Sequence, residues 1–134
     1  MQLARLAKSY RSVAVTTATP GQLVLMLFDG ALRFLSTALH GFEQEGIAPR
    51  NEQIHNNLIK TQNILLELQA SLDLTQGGDF AKTMYALYGF MLAELQKANL
   101  AKAAEPIATV ERLLREIRDS WAQMLDQSQP PIAA

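Results

Sequence analysis

Glu52 and His55 stand three residues apart on a segment with helical patterning, the Glu-x-x-His spacing that turns two metal ligands to one side of a helix in di-iron bundles. Such a centre needs a second pair and a glutamate from each remaining helix, whereas the other histidine, His40, has Thr37 three residues before it. Two solvated side chains at a helix start are the plainer expectation, and no metal ligand is assigned. Ser9, Ser12, Ser36 and Ser71 lack a His/Asp framework at any recognisable spacing, so no catalytic residue is assigned either. Gly77-Gly78 joins two helical patterns and follows no strand, which makes it a turn and not a phosphate loop. With no cysteine in 134 residues, thiol nucleophiles, thiolate zinc sites and disulfides are excluded, and a reducing compartment fits. The chain is expected not to be an enzyme and to need no cofactor; a metal-dependent bundle enzyme is the remote alternative.

Charge and hydropathy narrow the class further. Lysine and arginine number 12 against 13 acidic residues, a formal net charge of -1, which lacks the excess with which nucleic-acid binders neutralise phosphates. The longest unbroken apolar run, Leu23 to Phe28, is far short of the ~20 residues that cross a bilayer, and Val13-Ala14-Val15 is too short for a secretory signal. No nucleic acid, no membrane insertion and a cytoplasmic location are therefore expected. The mean hydropathy of +0.01 is high for such a chain and points to apolar surface that awaits a partner.

Four elements could position that surface. Residues 1–18 carry three basic residues and no acidic one, and Leu3 and Leu6 allow a short helix, so an N-terminal arm or short capping helix is expected there. Thr19-Pro20-Gly21-Gln22 reads as a capping box with proline at the first helical position. Val24, Phe28, Ala31, Leu35, Ala38 and Phe42 then recur at 4-3-4-3-4 spacing, predicting a helix over 20–45. Pro49-Arg50-Asn51 acts as breaker and cap, and Ile54, Leu58, Thr61, Leu65, Leu68 and Leu72 predict a second helix over 51–74. Asp79 caps a third over 79–102, with Met84, Tyr88, Met91, Leu95 and Ala98 as its stripe. Glu105-Pro106 opens a fourth over 106–126, with Ile107, Val110, Leu114, Ile117, Trp121 and Met124 on one face and Glu111/Arg115, Arg112/Glu116 and Arg115/Asp119 as i,i+4 pairs on the other. The fold class is all-α: an antiparallel up-down four-helix bundle over 19–126, with a frayed tail at 127–134. Helix three crowds Tyr85, Tyr88, Phe90, Met91 and Leu92 together, the residue types that helix-in-groove receptors use, and Gly89 among them permits close approach of a backbone.

The run Thr17-Ala18-Thr19-Pro20-Gly21-Gln22-Leu23-Val24-Leu25-Met26-Leu27-Phe28-Asp29-Gly30 closely resembles the signature T-x-S/T-P-x-x-L-x-x-M-L-Y/F-D/N-G of the flagellin-specific export chaperones, the FliS family. Gly77-Gly78, Ala81, Tyr85, Tyr88, Met91, Leu95 and Ala98-Asn99 resemble its third helix; Leu113-Leu114, Ile117-Arg118 and Trp121 resemble its fourth. Tyr10 falls where the family has a tyrosine in its arm, and Gly89 departs from a charged or polar helix former. The resemblance covers residues 10–125. It implies a helical bundle that binds the disordered C-terminal segment of flagellin, prevents premature polymerisation and delivers it to the flagellar type III export gate, with other flagellar regulators as further partners and self-association open to the free protein. Tyr85, Tyr88, Leu92 and Leu95 are chosen for the groove, and Leu6 and Tyr10 for an arm that closes as a lid. A structural homodimer burying the same stripes against its own copy is the alternative from another class.

Overall fold

The computed structural model describes residues 18–128. Thr19 caps the first helix, α1 (Pro20–Gly41): its hydroxyl accepts from the Gln22 backbone N–H at 3.2 Å, and the Gln22 side chain accepts from the Thr19 N–H at 2.9 Å. The capping box is thus formed as the sequence predicts, because it satisfies two N–H groups that the first helical turn cannot. α1 stops at Gly41 and not near residue 45, and α2 (Ile47–Ala70) starts ahead of Pro49 instead of after it. Pro49 lies in the first turn of α2, where its missing N–H costs nothing, and Gly46 supplies the positive φ of 86° at the cap.

α2 ends at Ala70, short of the expected 74, and the connector 71–77 is ordered by Asp73, whose carboxylate accepts from the N–H groups of Thr75 and Gln76. Gly77 closes the turn: a Cβ there would meet the Asp73 carbonyl oxygen at 2.5 Å. α3 (Gly78–Ala101) takes Gly77 as its cap, leaving Asp79 in the first turn, where its charge faces the helix dipole. α4 (Ala104–Ser128) follows after two residues.

Each helix packs on its neighbours in sequence and α4 closes back on α1, which makes an antiparallel four-helix bundle. The core takes the predicted stripes: Phe28, Ala31, Leu35 and Ala38 from α1, Ile54 to Leu68 from α2, Met84 to Ala98 from α3 and Ile107, Val110 and Leu114 from α4. Thr61, buried with them, donates its hydroxyl to the Asn57 carbonyl. α1 as a whole is long and apolar enough, by length and composition, to cross a membrane, which a count of unbroken apolar residues overlooks. In this fold Leu27, Phe28, Ala31, Leu32, Leu35 and Ala38 of that helix lie in the core.

Charged residues depart from expectation. None of the predicted i,i+4 pairs on α4 forms an ion pair among the described residues; Arg118 instead reaches Asp29 of α1 at 2.7 Å and Asp119 at 3.1 Å. Fully solvated pairs return too little to hold two long side chains in one geometry, whereas Arg118 is partly sheltered between helices. Its hydrogen bond to Asp29 raises the guanidinium above its ordinary pKa. Trp121 adds a second anchor to α1, donating its indole N–H to the Gly21 carbonyl at 2.9 Å and packing edge-on against Phe28. Gly21 also leaves room for Leu125 of α4, whose side-chain Cδ2 would lie 2.7 Å from a Cβ there.

Candidate functional site

α3 has more apolar residues than one buried face can hold. Met84, Tyr88, Met91, Leu95 and Ala98 turn inward, and Phe80, Tyr85, Phe90 and Leu100 are left exposed. The four residues chosen for the groove therefore separate. Tyr88 is 3% exposed and Leu95 0%, both in the core, while Tyr85 is 45% exposed and Leu92 half-buried. Tyr88 and Leu95 share the inward stripe with Met91, and Tyr85 and Leu92 belong to the adjoining stripe that meets the edge of α2. Burial pushes the Tyr88 phenol up from 10.0 to about 12, because the phenolate would lose its hydration. Leu6 and Tyr10 lie outside the described residues.

Two openings flank α3. Toward α4, a cavity of about 340 Å³ is lined by Phe80, Met84, Ile117, Trp121 and Met124, with Glu116 and Ser120 at its rim. Toward α2, a groove of about 490 Å³ is lined by Ile59 and Leu100 together with the polar side chains His55, Gln62, Gln96, Asn99 and Lys102. Leu100 is 82% exposed, and Leu66 further along α2 is also open to solvent. The α2 residues 55, 59, 62, 66 and 69 and the α3 residues 85, 89, 92, 96 and 99 both follow 4-3-4-3 spacing, so two stripes face each other along this seam, joined at 69/85 and at 55/99. Hydrogen bonds fasten its ends: the Gln69 amide donates to the Tyr85 carbonyl at 3.1 Å, and the Asn99 amide bonds His55 Nδ1 at 2.9 Å. A third, polar cavity between α1 and α4 contains Asp29, Arg33, Ser36, Arg115, Arg118 and Asp119.

Glu52 and His55 are both exposed, and among the described residues no three His, Asp or Glu side chains gather as a metal site. The α2/α3 groove sets the apolar side chains of Ile59 and Leu100 beside the amides of Gln62, Gln96 and Asn99, the mixture by which a concave surface can bind and orient a ligand. Phe80, Ile59, Leu66, Leu100 and Met124 were not singled out from the sequence as surface residues. The available signal was position, since Ile59 and Leu66 each follow a core leucine or isoleucine stripe by one residue and so fall on its border.

The family model described as flagellar protein FliS matches residues 3–128. The chain belongs to the FliS family. Among similar proteins are the flagellar secretion chaperones FliS of Bacillus subtilis, 36% identical over 117 residues that cover 87% of this chain and 84% of the relative, and of Salmonella typhimurium, 38% identical over 122 residues covering 87% of each. A FliSB of Pseudomonas aeruginosa is 30% identical over 118 residues, covering 85% of this chain and 90% of the relative. The FliS signature seen in Thr17 to Gly30 includes Asp29, the partner of Arg118, so one ion pair joins two of the blocks that carry the resemblance. FliS relatives are named as chaperones, in agreement with a chain read as non-enzymatic.

Proposed function

We propose that the protein is a cytoplasmic export chaperone that binds the disordered C-terminal segment of flagellin, keeps it from polymerising early and passes it to the flagellar type III export gate. The observation that carries this reading is the exposed apolar surface on both flanks of α3 in a chain of the FliS family. A disordered client with amphipathic segments pays its ordering entropy on binding and recovers it by burying apolar stripes in such openings. Tyr85 and Leu92 are proposed as client contacts, with Tyr88 and Leu95 as the buried layer that supports them. A flagellin C-terminal fragment should bind 1:1 by calorimetry, with helicity by circular dichroism above the sum of the separate parts. Binding with a merely additive spectrum would refute coupled folding, and a protein that stays dimeric on addition of the fragment would favour the structural homodimer.

The basic arm is proposed as a lid. α1 begins against Trp121 and Leu125, and Trp121 also lines the α3/α4 opening together with the acidic Glu116. Leu6 and Tyr10 would cover apolar surface there until the client arrives. A lid shut about 90% of the time weakens apparent binding roughly tenfold. Deleting residues 1–17 should therefore tighten the fragment's affinity by that factor; weaker binding would make the arm a clamp on the complex.

A further inference from the structure

α2 and α3 are joined by hydrogen bonds only at the two ends of their seam, among the described residues. The ends lie fourteen residues apart on α2, about 21 Å at 1.5 Å per residue, and the groove opens at the His55–Asn99 end, from Gln62 and Gln96 out to Leu100 and Lys102. One end is built as a chain. Lys102 Nζ donates to the Asn99 backbone carbonyl at 2.7 Å and to Asn99 Oδ1 at 2.6 Å. An ammonium can only donate, so Oδ1 must face it and the Asn99 NH₂ must face His55. His55 Nδ1 is then the acceptor, and its ring proton sits on Nε2. Lys102 is itself held at φ 51°, the left-handed region, with the Ala103 N–H returning to the Ala98 carbonyl, so this tie is anchored in the α3–α4 corner.

The other end passes beside Gly89. A Cβ at Gly89 would lie 3.6 Å from the Gln69 amide nitrogen, an ordinary contact, but a longer side chain would take the space that Gln69 uses to reach the Tyr85 carbonyl.

We propose that Gln69 and the His55–Asn99–Lys102 chain are positioning residues for client binding: they fix the spacing of α2 and α3 so that the groove between them is preformed. The proposal rests on the client reading above. A groove set before binding spares the complex the ordering cost that a loose pair of helices would incur.

The test uses the full chain and a flagellin C-terminal fragment. Gln69→Leu and Asn99→Leu should each weaken binding about fivefold in the folded protein, the equivalent of one net hydrogen bond. Asn99→Asp should restore it, because a carboxylate accepts from Lys102 and also from His55 once the ring proton moves to Nδ1. Nitrogen-15 spectra of the His55 ring should show the Nε2–H tautomer in the parent protein and Nδ1–H in Asn99→Asp, a change that general destabilisation would not produce. Unaltered affinity in both leucine variants, or an Asn99→Asp variant no better than Asn99→Leu, would overturn the positioning role. The methyl signals of Ile59 and Leu92 separate the two levels: a fragment that binds without shifting them overturns the groove reading itself, whereas shifted signals with unaltered variant affinities overturn the positioning role alone.

Discussion

α1 and α3 occupy opposite corners of the bundle and are held in different ways. α1 is tied by polar contacts on both sides: Arg118 and Trp121 of α4 grip Asp29 and the Gly21 carbonyl, and the Gln53 amide of α2 donates to the Thr37 carbonyl. α3 has its two ties to α2 and, among the described residues, no hydrogen bond to α4, against which it packs through side chains such as Met84 and Ile117. The apolar surface left open follows the same division, with Phe80, Tyr85, Phe90 and Leu100 on α3 and no large exposed hydrophobic residue among those described on α1. A bundle can thus hold one helix by polar ties on both sides while the opposite one carries the open apolar surface, without separate domains for the two.

Core truncation should break the comparison first, if it is wrong. Leu35→Ala on α1 and Leu95→Ala on α3 remove fully buried side chains, and each should lower unfolding stability by about 2–5 kcal/mol in denaturant titration. A Leu95→Ala protein that loses affinity for the flagellin fragment while keeping its stability would return Leu95 to the client surface.

Alkaline pH probes α3 from within. Tyr88 has its folded pKa raised to about 12 from 10.0, so between those values the folded state holds a proton that the unfolded state has released. Stability should fall as pH rises through that window, by about 2–3 kcal/mol in total, and Tyr88→Phe should remove this dependence. An identical alkaline profile in the phenylalanine variant would mean that another group is responsible.

Single truncations at the openings come next. Phe80→Ala and Tyr85→Ala should each cost about 1–2 kcal/mol of fragment affinity if their side chains anchor the client, with little change in melting temperature because both are exposed in the free protein. Equal losses of stability and none of affinity would make these side chains part of the frame. The smallest effect is expected at α1: Asp29→Asn replaces a partly exposed ion pair and should cost about 0.5–1 kcal/mol, less in high salt.

Periodicity makes the bundle and most of its core legible in the sequence, because Ile54 to Leu68 and Met84 to Ala98 repeat at the pitch of a buried face. Helix ends were harder. Pro49 looks like a breaker in one dimension but sits harmlessly in a first turn, and Asp73, which orders the α2–α3 connector, bears no mark that distinguishes it from Asp79. Burial within the chosen groove residues is hard to read for a related reason: Tyr85 and Tyr88 are alike as residue types, and only their phase relative to Met84 and Met91 sends one to the surface and the other to the core. The seam ties could not be read at all, since Gln69 and Tyr85 are 16 residues apart and His55 and Asn99 are 44 apart, with no local pattern linking them.

Trp121 is the sole tryptophan of the chain, and it stands where α1, α4 and the α3/α4 opening meet. Half-buried against Phe28 and facing the cavity, its indole is an optical reporter already in place. A segment that settles over Phe80 and Met124 would exclude water from that ring and move its emission to shorter wavelength, so occupancy of the opening can be followed in real time without attaching a dye.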